Sequence, residues 1–290
     1  MKVSLLLFFT AFSTLSALAE FTVVIDPGHG GKSEHHHSDG SQKGDGSSWN
    51  NATAAIFGYL EKDLCLNYSK ELAWSLYNDE RAKKLKIRPI LTRKEDKHLS
   101  AMTRSAYAVE YGADVFISIH FNASSSHKAE GTRVYYTSAD HPDWEYVHFK
   151  NPYAERDKAF ATRVTKEIST SLQPFGADPT KAKVFGDSRT DGGDLKDGFR
   201  ILGYARQDSH LYKCVMILVE VEFIDNPKVA EWLLKEEHRN QTRKATAAAI
   251  TKAICDHLDE VEVKYGTRFF TCSSTATFRS ILPAIFDEII

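Results

Sequence analysis

Apolar and polar positions repeat along this chain in two periods, and the switches between them lay out its architecture. Phe21-Thr22-Val23-Val24-Ile25-Asp26 is a short apolar run rich in β-branched residues that stops at Pro27-Gly28, the pattern of a buried strand. From Glu61 to Asn78 the positions Leu64, Leu66, Tyr68, Leu72, Leu76 and Tyr77 recur at roughly helical spacing, which predicts an amphipathic helix. The alternation continues with a strand over 87–91, a helix over 100–111 with Ser100 as its cap, a buried strand over 114–120 and a neighbouring strand over 132–136. A helix over 154–172 follows, then the most apolar strand of all within 212–223, and closing helices over 227–235 and 240–258. Residues 30–58 and 173–199, rich in small and polar residues, read as loops. Strands that are almost continuously apolar, alternating with helices, imply an α/β domain with helices on both faces of a sheet.

Composition narrows the classes. Of 290 residues, 42% are hydrophobic and 26% charged, which excludes collagen-like and low-complexity chains. Lys+Arg 37 against Asp+Glu 39 gives a net charge of −2, so no nucleic-acid partner is expected. The start of the chain has its own logic: Met1-Lys2, the apolar run Val3 to Phe9, and Ala17-Leu18-Ala19 form a secretory signal peptide with cleavage after Ala19. The run is too short and too interrupted to span a membrane, so the mature chain is expected to be periplasmic or secreted, without a membrane span. This gives three units: signal peptide 1–19, one α/β domain 20–262, and a tail 263–290 whose role is not readable. No internal repeat is visible, and a monomer is expected. Among four cysteines, Cys65 and Cys214 sit in apolar periodic segments and read as buried thiols, whereas Cys255 and Cys272 could pair.

Four segments place ionisable groups where strands or helices end. His29 lies in Asp26-Pro27-Gly28-His29-Gly30-Gly31, whose glycines let the backbone turn sharply at the end of the first strand. Glu61 opens a helix, where the helix dipole alone would favour an acid. His120 ends a buried strand, a place where a lone histidine is most often structural. Glu220 and Glu222 close the most apolar strand; at i and i+2 they share a face, so both could act together or only one could matter. Burying a carboxylate without a partner is expensive, and a metal, a catalytic role or an arginine would each explain it. Two histidines and a glutamate are the ligand set of a catalytic zinc site with one position open for water, and a further glutamate beside that water can serve as general base. Spacing alone does not single out the metal.

The motifs Val24-Ile25-Asp26-Pro27-Gly28-His29-Gly30-Gly31, Leu60-Glu61-Lys62-Asp63, Leu91-Thr92-Arg93, Ser118-Ile119-His120-Phe121-Asn122-Ala123 and Val219-Glu220-Val221-Glu222-Phe223-Ile224-Asp225-Asn226-Pro227 occur in that order. Together they resemble the zinc-dependent N-acetylmuramoyl-L-alanine amidases of type 3, over roughly Phe21 to Asp259. The resemblance implies a twisted mixed sheet, mostly parallel, flanked by helices on both faces. It implies one Zn²⁺ on His29, Glu61 and His120, and Glu220 as the catalytic carboxylate. The implied substrate is peptidoglycan, cut at the amide between N-acetylmuramic acid and L-alanine of the stem peptide.

Arg93, Asn122 and Glu222 are further candidates for substrate contact; Arg93 and Arg104 would suit an anionic stem peptide, whereas Thr92-Arg93 could equally cap the strand end with a structural ion pair. Two departures stand out. Glu222 replaces the glycine common in the family, and the loop from His29 to Glu61 is longer than usual. Ala139 to Pro152, an additional aromatic stretch, is expected either to occlude the metal until an activator protein moves it or to bind substrate. His35-His36-His37 in a polar loop reads as solvated. Competing functions are a zinc peptidase or deacetylase acting on another cell-wall substrate, and a non-catalytic wall-binding module of the same fold.

Overall fold

The computed structural model describes residues 21–31, 52–141, 149–187, 189–190, 193–194, 199–204 and 214–265. The expected signal peptide, His35 to His37, Cys272 and all of the tail beyond Tyr265 lie outside them. Six strands form the main sheet: β1 (Phe21–Pro27), β2 (Ile87–Leu91), β3 (Val115–Asn122), β4 (Arg133–Tyr136), β5 (Lys183–Gly186) and β6 (Val215–Phe223). Their spatial order is β2-β1-β3-β6-β4-β5. The first four in that order are mutually parallel, β4 runs antiparallel to β6, and β5 is parallel to β4. The sheet is therefore mixed and mostly parallel, as the sequence implies.

Period-two alternation divides the strands between two cores. Val23, Ile25, Ile117, Ile119, Ile217 and Val219 face one side, covered by α1 (Glu61–Asn78), α4 (Ala154–Leu172), α6 (Pro227–Leu234) and α7 (Glu236–Tyr265). Val24, Phe116, Met216 and Leu218 face the other, covered by α3 (Ala101–Glu110) and α5 (Arg200–Tyr204). A short α2 (Glu80–Lys84) links α1 to β2. Each fully buried Ile or Leu contributes about 1.5–3 kcal/mol of transfer free energy, so these two layers hold the sheet together. Local signals fix the ends. Ser100 Oγ accepts from the Thr103 N–H at 3.0 Å, and Asn226 Oδ1 accepts from Lys228 N–H at 3.0 Å with Pro227 opening α6.

The structure adds three things to the sequence reading. Lys183–Gly186, inside a segment read as loop, is the edge strand β5. α7 begins at Glu236 and runs to Tyr265, longer than its periodic core suggested. The third concerns Ala139 to Pro152. Because β4 runs backwards, Arg133 lies beside Glu220 and Tyr136 beside Ile217, three residues further from the C-terminal ends of the parallel strands. The segment therefore leaves and returns at the opposite edge of the sheet. Asn151 N–H donates to Ala139 O at 2.9 Å, its Nδ2 donates to Thr137 O at 2.8 Å, and Arg156 reaches Cys214 O at 3.1 Å at the start of β6. Asp140–His141 and Phe149–Lys150 pair as a two-stranded ribbon there, and residues 142–148 lie outside the described set. Among the described residues, no helix is long and apolar enough to cross a membrane.

Candidate metal centre

Three donor atoms converge where the loop after β1, the start of α1 and the end of β3 meet. His29 Nε2 stands 2.9 Å from Glu61 Oε1, His120 Nδ1 stands 3.2 Å from the same oxygen, and the two ring nitrogens are 3.2 Å apart. Zinc bonds of about 2.0–2.2 Å at tetrahedral angles place ligand atoms about 3.3–3.5 Å apart, so small adjustments would admit an ion. The donor chemistry fits as well. Two imidazole nitrogens and a carboxylate oxygen facing one point are three lone-pair carriers, which a cation satisfies together and a single proton does not. Among the described residues this is the only group of three such side chains close enough to hold a metal.

Each donor is positioned by its surroundings. His29 adopts φ 54, a left-handed conformation rare for a residue with a side chain, followed by Gly30 at φ 118 and Gly31 at φ 74. Such strain persists only where neighbours over-determine it. Here they are two buried arginines: Arg104 donates to Pro27 O at 2.6 Å and to His29 O, while Arg93 donates to Pro27 O at 3.0 Å and Gly28 O at 2.6 Å. Gly28 is glycine because a Cβ there would fall inside the His120 imidazole. Glu61 accepts from Phe121 N–H at 3.1 Å through Oε1 and from Ala52 N–H at 3.0 Å through Oε2. These bonds turn the side chain away from a simple dipole role at the start of α1 and aim it between the histidines.

Under the loop, Asp26 is fully buried and accepts from Thr92 Oγ1 at 2.5 Å, Ser118 Oγ at 2.7 Å and Arg104 Nη1 at 2.9 Å. One carboxylate thus links β1, β3, α3 and the residue after β2.

Electrostatics follow burial and charge. Burial works against the Glu61 carboxylate, but His29 and His120 outweigh it and bring the group down to about 2. Burial pushes the His120 imidazole down against the pull of Glu61, favouring the neutral, ligating form. Glu220 is paired with His120 across β6 and β3, so the two side chains leave the same face of the sheet. Burial, and then the charge of Glu61, pushes the Glu220 carboxyl well above its ordinary range, and its Oε2 has no hydrogen-bond partner. Cys65, one turn beyond Glu61, is buried with its thiol pushed well up, chiefly by burial. Cys214 and Cys255 are likewise buried.

The two glutamates of β6 part company. The register shifts between Glu220, opposite His120, and Phe223, opposite Asn122: three steps on β6 match two on β3. This bulge takes Glu222 to the Gly131 N–H, from which Oε2 accepts at 2.7 Å, and to the Phe223 N–H at 3.3 Å. Burial raises Glu222 to about 7 against those amides and Arg133. The remaining candidates are placed as follows. Asn122 closes β3 half-buried, its Oδ1 accepting from Ala123 N–H at 2.8 Å. Arg93 is 4% exposed, with all three guanidinium nitrogens on main-chain carbonyls. The sequence reading missed Asp26 and the bracing role of Arg104, although an aspartate ending a buried apolar strand is itself a signal that a cation lies nearby.

The fold is an α/β domain built on a six-stranded mixed sheet, with a His–Glu–His cluster that could hold a metal where its parallel strands finish. The chain belongs to the N-acetylmuramoyl-L-alanine amidase family, type 3, whose family model matches residues 23–252. A probable N-acetylmuramoyl-L-alanine amidase AmiB of Haemophilus influenzae is 34% identical over 137 residues, 47% of this chain and 27% of that protein. N-acetylmuramoyl-L-alanine amidase AmiC of Neisseria meningitidis is 26% identical over 250 residues, 80% of this chain and 52% of that protein. The matched span is thus about half or less of either relative. Among solved structures, the catalytic domain of the amidase CwlV from Bacillus (Paenibacillus) polymyxa shares the fold at 22% identity. Its TM-score is 0.54, covering 82% of this chain and 98% of that one. The CwlD amidase of Clostridioides difficile, solved in complex with the GerS lipoprotein, matches at 20% identity and TM-score 0.53, covering 83% and 100%.

Proposed function

We propose that this protein hydrolyses the amide joining the lactyl group of N-acetylmuramic acid to L-alanine in peptidoglycan, with one Zn²⁺ held by His29, Glu61 and His120. The observation that carries the reading is the convergence of those three donors beside Glu220, whose Oε2 has no partner. When bound, zinc supplies a Lewis acid that acidifies water and polarises the scissile carbonyl. Glu220 takes the proton from the attacking water as its oxygen bonds to the carbonyl carbon. The same carboxyl then gives that proton to the departing amine as the C–N bond breaks, leaving a lactyl carboxylate and a free L-alanine amino group. Glu61, His29 and His120 hold the metal, and their backbone braces keep the geometry fixed. Glu222, turned onto the Gly131 amide, shapes the loop that follows β3 instead of sharing the proton transfer.

Asn122, half-buried at the end of β3, is proposed to contact substrate beside the metal. The domain of residues 20–262 would act outside the cytoplasm after removal of residues 1–19. Control by an activator is proposed by analogy with the CwlD–GerS complex.

The test is to incubate the mature protein with purified peptidoglycan, with and without chelator, and to identify soluble products by mass spectrometry. Free stem peptides beginning at L-alanine, lost with chelator and restored by Zn²⁺, are expected. Glu220→Gln should retain zinc and release none; full activity in that variant would overturn the assignment. Release of shorter peptides, or of acetate, would favour a peptidase or deacetylase.

A further inference from the structure

Arg93 is a sequence candidate for contact with an anionic substrate, yet it is almost sealed from solvent. We propose that Arg93 is the positioning residue that sets the separation of the His29 and Glu61 metal donors, an inference that rests on the metal-centre reading above. Its Nη2 donates to two carbonyls at once, Gly28 O at 2.6 Å and Lys62 O at 2.9 Å. Gly28 immediately precedes His29, and Lys62 immediately follows Glu61. A single nitrogen therefore ties together the two backbones that carry the donors.

The guanidinium cannot swing out of this position. Nε donates to Pro27 O at 3.0 Å and Nη1 to Glu95 O at 3.1 Å, fixing the plane of the group. The neighbouring glycine makes room for it: a Cβ on Gly30, at φ 118, would lie 2.9 Å from Arg93 Nε and 3.1 Å from its Cδ. No carboxylate pairs with Arg93 among the described residues, unlike Arg104, which is 2.9 Å from Asp26 Oδ1. A buried cation held only by carbonyl dipoles gives up the attraction an ion pair would supply. What it retains is a rigid fork of five donors, which a lysine cannot reproduce. Four of its five N–H donors are spent on carbonyls, and at 4% exposure the group offers little to a substrate carboxylate.

The test is zinc affinity, measured by competition with a chromophoric chelator in the wild type and in Arg93→Lys, which keeps the charge and loses the bridge. The lysine variant should bind zinc about 10–100-fold more weakly, the range expected when a group supporting a metal ligand is removed. Its Co²⁺-substituted form should show a shifted visible spectrum, a readout of ligand geometry that needs no peptidoglycan. If the lysine variant fails to fold, Arg93→Gln gives the same comparison. Unchanged zinc affinity and spectrum with a raised KM on peptidoglycan would overturn the proposal and return Arg93 to substrate contact. Unchanged affinity with only a lowered melting temperature would reduce it to a fold brace. A wild type that binds no zinc would remove the metal reading and this proposal together, whereas a wild type that binds and a variant that matches it would remove this proposal alone.

Discussion

Replacing Asp26 by asparagine tests the foundation under the His29 loop. The carboxylate is fully buried and balances the buried guanidinium of Arg104 at 2.9 Å, while Thr92 and Ser118 donate at 2.5 and 2.7 Å. Asparagine nearly preserves the shape and can still accept, so the change isolates the charge. Breaking a buried pair and leaving its partner uncompensated costs about 3–5 kcal/mol. Domains typically have about 5–15 kcal/mol in total, so the loss should be large in urea denaturation followed by circular dichroism. At about 2–4 °C per kcal/mol for a chain of this size, the melting temperature should fall by roughly 10 °C. Ser118→Ala is the control: it removes one donor to the carboxylate but leaves the ion pair, and should cost about 1.5–3 kcal/mol. A loss below about 1 kcal/mol in Asp26→Asn, or one no larger than that of Ser118→Ala, would refute the idea that charge balance holds this loop.

Other perturbations probe separate parts of the site. Gly28→Ala should displace the His120 imidazole and lower zinc content, measured by metal analysis, in a protein that still shows native circular dichroism. Glu222 has its folded pKa raised to about 7, so the native state holds a proton that the unfolded chain releases at lower pH. Its contribution therefore becomes unfavourable as pH rises from about 4.5 through 7, by about 3 kcal/mol. Urea titrations should show Glu222→Gln gaining on the wild type by an amount of this order between pH 5 and about 7.5; a constant difference would contradict it. Gly131 sits at φ 100 with its missing Cβ directed at the Lys181 backbone, so Gly131→Ala should destabilise by about 1–3 kcal/mol in the same assay.

Much of this was legible in the chain because burial and periodicity coincide. The helices over 61–78 and 154–172 and the strand over 87–91 match the structure residue for residue, since each is long or apolar enough for one period to dominate. Lys183–Gly186 was not legible: four residues at a sheet edge, half-exposed, carry too little alternation to register. At the candidate site, the three donors that converge, His29, Glu61 and His120, each lie in a motif that could be read in the sequence. The division between Glu220 and Glu222 could not, because strict alternation puts them on one face and only the bulge separates them. Nor could the bracing by Arg93, because an arginine whose partners are main-chain carbonyls leaves no complementary residue in the sequence.

The backward run of β4 also gives the molecule two ends that an engineer can treat separately. Chemistry gathers at the edge where the parallel strands finish. The paired segments Asp140–His141 and Phe149–Lys150 are rooted at the other edge, among the starts of those strands. A fluorescent label or peptide tag grafted between His141 and Phe149 would be rooted at the edge opposite the candidate metal donors, and the closure entropy of a longer loop there rises only logarithmically with its length. That edge is the natural handle for tethering the protein to a bead or electrode while leaving the candidate metal centre open.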